Sequence, residues 1–303
     1  MRINLPPAIS PSPDLKGSEP GRMRSALRSR RLHRIPLIVI PVLCMNAIGR
    51  PAFDGPLPGA VSAGNGGARM ASRGPEAVFT DPCGIGDAAA PALGCSCTLP
   101  YGIRELGVAA ASLVLPVWHG HIGAGWQSTG GAAYRETASC IVWSGSDRRG
   151  SRFGIRIRLL TLAIPRYGSW TGAAADFSLR LRLDEAWSFG GSIDNANGAS
   201  PDRNGPTGPG LNAGLRFEPA PGWRLHAEAG QAEGRSGEWR FGAEAAVLSG
   251  FVLRGGWTRH PSTAAFGAGF LCRRLKADYA CSVHPVLGLT HRTDITIPAR
   301  TGR

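Results

Sequence analysis

Phe177-Ser178-Leu179-Arg180-Leu181-Arg182-Leu183-Asp184 alternates apolar and polar side chains without a break. A period of two sends successive side chains to opposite faces of a strand, so one face here is apolar and the other carries arginines. The pattern returns in Leu211-Asn212-Ala213-Gly214-Leu215-Arg216-Phe217-Glu218 and in Trp223-Arg224-Leu225-His226-Ala227-Glu228-Ala229-Gly230. A sandwich core would not tolerate charge on the second face of strand after strand; a polar barrel lumen would.

Working outward from these stretches, the alternation marks off fourteen strands, at about 92–99, 107–117, 120–127, 138–144, 151–164, 172–183, 186–194, 210–218, 222–230, 237–247, 250–258, 263–272, 275–283 and 288–297. Most have the roughly nine to eleven residues a tilted strand needs to cross a bilayer; the fourth has the shortest pattern. The fold class is therefore all-β, a transmembrane antiparallel up-and-down β-barrel of about fourteen strands. An even number brings both barrel termini to one end. The connections at that end are mostly short, as at 118–119, 184–185, 219–221, 248–249 and 273–274. Those at the other end are mostly longer, as at 100–106, 128–137, 165–171, 195–209 and 231–236. Short turns toward the periplasm and longer loops outside is the outer-membrane pattern. Trp118, Trp143, Trp187 and Trp223 fall near the short-turn end, and Trp126, Trp170, Trp239 and Trp257 near the other, as two interfacial girdles would.

The polar face supplies the candidate lumen lining: Arg180, Arg182, Arg216, Glu218, Arg224, Glu228, Arg240, Glu244, Arg254 and Asp278. Acids interleave with bases, so cross-strand ion pairs that hold register are favoured over a basic constriction selecting anions.

The net charge of +13 points at first to nucleic acid. Six units of it sit in residues 1–49, where eight basic residues face only Asp14 and Glu19, and the chain has just two lysines, Lys16 and Lys276. Arginine usage then reads as compositional bias, and nucleic acid is not an expected partner. Residues 1–49 read as a leader with an export signal: a basic run from Arg22 to Arg34, the apolar stretch Ile35–Met45, then small residues at Ala47 and Gly49. Residues 50–70 lack periodicity and read as a linker, 71–91 as a compact plug-like segment, 92–297 as the barrel and 298–303 as a tail. Beyond the signal, six cysteines remain. Cys95 and Cys97 share a strand face, so they need other partners, and Cys83 to either is the one pairing considered. Cys-x-Cys with no nearby Cys or His pair does not make a metal site. There is no Gly-x-Ser-x-Gly elbow and no His pair at metal-helix spacing. The expectation is a non-enzymatic protein with no catalytic residue, cofactor or metal.

Several short elements resemble one family. Val252-Leu253-Arg254-Gly255-Gly256-Trp257, Phe266-Gly267-Ala268-Gly269-Phe270, Leu275-Lys276-Ala277-Asp278-Tyr279-Ala280 and His284-Pro285-Val286-Leu287-Gly288-Leu289-Thr290-His291-Arg292 are similar to the C-terminal strands of PorV/PorQ-type outer-membrane proteins, relatives of the FadL-like barrels. Phe79-Thr80-Asp81-Pro82-Cys83-Gly84-Ile85 resembles the family's pre-barrel "NPAGL" element, with Asp81 and Cys83 in place of Asn and Ala; Tyr134-Arg135-Glu136 sits where a similar Tyr and Glu occur. The resemblance implies fourteen strands, a small N-terminal plug and an outer-membrane location with lipid around the wall. For PorV-like members it implies a role in protein secretion, with secretion-system proteins or exported cargo as partners. For FadL-like members it implies passage of hydrophobic small molecules. A solute conduit would have an apolar pocket near residues 75–100, and the charged face favours the secretion role. A secreted β-sandwich binding module is the remaining alternative.

Overall fold

The computed structural model describes residues 52–53, 59–88, 91–201, 209–231, 237–273 and 275–298. The export signal lies outside the described residues. Fourteen antiparallel strands form one closed barrel in sequence order: β1 (Ala92–Leu99), β2 (Val108–Val117), β3 (Gly120–Gly130), β4 (Arg135–Ser146), β5 (Arg152–Ile164), β6 (Gly168–Arg182), β7 (Trp187–Asp194), β8 (Gly210–Phe217), β9 (Trp223–Gln231), β10 (Glu238–Leu248), β11 (Phe251–Arg259), β12 (Thr263–Cys272), β13 (Leu275–His284) and β14 (Gly288–Pro298). Closure is made by β1, which pairs with β2 from Ala92↔Val114 and with β14 from Ala92↔Pro298 to Leu99↔His291. Closing the sheet leaves no edge strand with unpaired backbone groups.

The fold class expected from the alternation is the one observed. Differences lie at the long-loop end. β3 and β4 run on to Gly130 and from Arg135, and β5 and β6 are joined across 165–167 only. The loops expected at 128–137 and 165–171 are therefore mostly strand. Most residues that lengthen these strands are polar or glycine, such as Ser128, Thr129, Gly130, Arg135, Glu136, Thr137, Gly168, Ser169 and Thr171, so the apolar alternation fades there although the ladder continues, from Thr129↔Glu136 to Gly130↔Arg135.

One face of each strand is exposed and apolar, as at Ile141 (68% exposed), Leu159 and Phe266. The other face encloses the N-terminal segment. Its helices α1 (Ala60–Gly64) and α2 (Ala77–Thr80), with 3-10 turns at 69–71, 74–76 and 82–87, are buried along most of their length. Among the described residues, buried structure is thus present from Gly59, inside the stretch expected as a linker. Ala60-Val61-Ser62-Ala63-Gly64 shows no amphipathic period because every one of its residues is buried, and a helix buried all round has no polar face to reveal it.

Glycines of the inner wall make room for this plug. A Cβ on Gly242 would lie 2.6 Å from the Asn65 carbonyl oxygen, one on Gly125 2.6 Å from Val78, and one on Gly256 2.1 Å from the Gly66 amide nitrogen. Two carboxylates satisfy amides at the start of α1. Asp294 of β14 accepts from Ala60 N at 2.6 Å, and Glu76 accepts from Val61 N at 3.0 Å and Ser62 N at 2.8 Å.

All six described cysteines are free thiols, so Cys83 pairs with neither Cys95 nor Cys97. Cys83 is buried against β6, where the Ser178 hydroxyl donates to its Sγ at 3.1 Å. Burial, and then the neighbouring Asp81 charge, push its thiol up to about 12. Because the thiolate is the reacting species, Cys83 is expected to escape alkylation at pH 8 in the folded protein and to react after unfolding in urea. Mass spectrometry of the alkylated peptides checks this; labelling of Cys83 in the folded barrel would contradict it.

Candidate functional site

Two features fill the barrel interior: a charged network that ties the plug to the wall, and an apolar cavity beside it. In the network, Glu244 of β10 is buried and takes three guanidinium groups: Arg73 of the plug at 2.6 Å, Arg224 of β9 at 2.6 Å and Arg254 of β11 at 2.8 Å. Arg254 reaches on to Asp278 at 2.9 Å, and Lys276 closes on Asp278 at 2.7 Å. Glu228 of β9 has its main partners in the plug backbone, accepting from Arg69 N at 2.8 Å and Met70 N at 2.6 Å. Arg180 of β6 donates to Asp81 at 2.5 Å and also pairs with Asp87 at 3.3 Å. Burial works against charge on Asp87, but Arg180 and Arg152 outweigh it and hold that carboxyl below its ordinary value.

The other candidates lie at the margins of this core, where Arg240 comes within 4.0 Å of Glu228. Arg240 pairs with Glu238 at 2.5 Å and donates to Asn212 at 3.1 Å. Arg216 lies 3.1 Å from Glu218, and Arg224 is 3.6 Å from the same carboxylate. Arg182 is exposed at the short-turn end, with its Nε on the Asp184 carbonyl at 3.2 Å. The alternation therefore named wall residues, but the groups that complete the network sit in the plug: Arg69, Arg73, Asp81 and Asp87. Asp176 of β6 was also missed. It accepts Arg156 at 2.7 Å and two bonds from Arg158 at 2.7 Å, with Arg156 and Asp176 both buried. The signal was present: Asp176 lies two residues before Ser178 and four before Arg180, on the same strand face.

The apolar feature begins with a cluster between the plug and β2–β4. Val78, Phe79 and Ile85 pack with Ala110, Val114, Cys140 and Val142. Above it, toward the long-loop end, Phe53 and Trp170 pack on Ala138, Leu160 and Ala174, with the two rings 5.9 Å apart. Trp170, expected in the outer girdle, instead points inward: it lies on the same face of β6 as Ala174 and Asp176. Between these clusters is a cavity of about 20 Å³ walled by Phe53, Phe79, Ala138, Cys140 and Leu160, with Gln127, Arg156 and Arg158 as its polar members. That space accommodates about one water molecule. Phe53 is held over it by its backbone amide, which donates to Glu136 at 3.0 Å; Tyr134 donates its hydroxyl to the same carboxylate oxygen. Thus Tyr134 and Glu136, singled out by resemblance, fix the cavity's aromatic lid. A space of this size, walled by apolar and polar side chains together, holds a small hydrophobic molecule only when Phe53 moves. Among the described residues no group of three or more metal-ligating side chains occurs.

No family profile matches this chain, and no curated protein matches its sequence. Solved structures do. The toluene transporter TodX of P. putida aligns with a TM-score of 0.61 at 12% identity, over 80% of this chain and 99% of that one. A Pseudomonas aeruginosa FadL homologue aligns at 0.59 and 9% identity over 80% and 99%. The monoaromatic hydrocarbon channel CymD aligns at 0.57 and 11% identity over 81% and 98%. At these identities the likeness is one of fold: this chain shares the closed-barrel fold of these structures.

Proposed function

We propose that this chain is an outer-membrane channel for small hydrophobic molecules, closed in this conformation by its N-terminal plug. The observation that carries the reading is the cavity between plug and wall, with Phe53, Phe79, Ala138, Cys140 and Leu160 as its apolar lining. Its place differs from the one expected for a solute pocket, near residues 75–100: of its lining only Phe79 lies there, and the rest comes from Phe53 and from β3, β4 and β5. The likeness to hydrocarbon channels supports the same reading. The exposed apolar wall would face lipid, with the short turns in the periplasm and the longer loops outside. The charged residues serve as plug anchors and cross-strand ties in this account, so they no longer favour a secretion role.

Accumulation of radiolabelled toluene by cells carrying the chain tests the proposal. Cells with the protein should take up toluene several-fold faster than cells without it. Phe53→Ala removes the lid ring and should raise the rate further. Equal rates with and without the protein, for toluene and for benzyl alcohol alike, would overturn the reading.

A further inference from the structure

The cavity is not purely apolar, and its polar members differ in how well they are satisfied. Arg156 is spent: its Nε donates to Asp176 at 2.7 Å and its Nη1 to the Val78 carbonyl at 3.2 Å, and its Nη2 lies 3.6 Å from Asp194. Arg158 places Nε and Nη2 on Asp176, leaving its Nη1 without a hydrogen bond among the described residues. Gln127 of β3 is half-buried on the inner face and lines the cavity, and its amide makes no hydrogen bond among the described residues. A plain hydrocarbon bound here would cover that amide and leave it unpaired, which is unfavourable. A ligand with an oxygen acceptor would pair it.

Size and charge narrow the class further. The piece of the chain now over the cavity is one benzene ring, that of Phe53, which packs on Trp170 and Leu160. A ligand taking its place therefore has room for a single ring. Asp176 and Asp194 already match the two guanidinium groups, and Glu136 sits beside Phe53, so a carboxylate ligand would bring a negative charge with no uncompensated cation to meet it. We infer that the cavity selects a monocyclic compound carrying a neutral oxygen acceptor, such as an aromatic alcohol or ketone, over the bare hydrocarbon, with Gln127 and Arg158 Nη1 as the donors. This rests on the channel reading above and names its substrate class.

Fluorine NMR titration of the full protein in detergent tests it, with 4-fluorobenzyl alcohol and 4-fluorotoluene as probes and protein-free micelles as the blank. The titration is run on the wild type and in the Phe53→Ala background, where the cavity is open. Gln127→Leu should weaken the alcohol by about fivefold, the worth of one neutral hydrogen bond, and leave the toluene probe nearly unchanged. Gln127→Met, closer in shape, serves if the leucine variant does not fold. Equal changes for both probes, or no change for either, would overturn the inference while leaving the channel reading in place. Saturable binding of neither probe to the wild type or to Phe53→Ala would overturn the channel reading itself.

Discussion

Glu244→Ala is expected to destabilise the folded barrel by about 3–5 kcal/mol, the cost of breaking a buried ion pair from one side. The carboxylate holds Arg73, Arg224 and Arg254 within 2.8 Å, and Glu244 and Arg254 are both buried. Removing it leaves three positive groups around one vacated position. Asp278 still compensates Arg254 at 2.9 Å, while Arg73 loses the only carboxylate it pairs with among the described residues. The plug should therefore loosen as well as the wall. The urea midpoint for unfolding from lipid vesicles measures the effect. Arg224→Ala is the control: Arg224 is about a third exposed and leaves Glu244 two other partners, so its effect should be much smaller. An unchanged midpoint for Glu244→Ala would contradict the anchoring role.

Gly256→Val is expected to expel the plug while leaving the barrel closed. A Cβ at this position would lie 2.1 Å from Gly66 N, 2.3 Å from Asn65 C and 2.6 Å from Gly66 Cα. All three are backbone atoms, so no side-chain rotation relieves the clash. Gly66 sits at φ +67°, where only a glycine moves freely, and its carbonyl already accepts from Thr258 at 2.6 Å. The wall strand, paired on both sides, is the stiffer partner. A planar bilayer should then show steady ion conductance through the variant and little through the wild type. Gly255→Val is the matched control, because nothing lies within 4 Å of a Cβ there. Conductance that is the same in all three would contradict the close fit of the plug.

The strand positions were legible because their signal is local: a half-exposed strand writes its two faces into every second residue. Even β4, the shortest pattern in the sequence, extends a ladder that Arg135, Glu136 and Thr137 continue by pairing with Ala163, Leu162 and Thr161. Trp170 shows the limit. Its place near a strand end suited a membrane girdle, but the face it takes is set by register with Asp176 and Arg180, and that face looks inward. The plug was legible only as the segment 71–91, through the element around Phe79 to Ile85. Residues 59–70 carry no period because their surroundings are uniform, and the glycines that receive them lie far away in sequence, at 242 and 256. The cavity was less legible still. Phe53, Gln127, Arg158 and Leu160 meet only once the barrel has closed around the N-terminal segment, and nothing within any one strand announces the meeting.

The whole reading stands on the exposed apolar wall facing lipid. Electrophoretic mobility of the protein extracted from the outer-membrane fraction, with and without boiling, tests that most directly. The expected result is a membrane-bound protein that needs detergent for extraction and runs at different positions when folded and when boiled. Recovery of the protein in the soluble periplasmic fraction, with a single mobility before and after boiling, would contradict it.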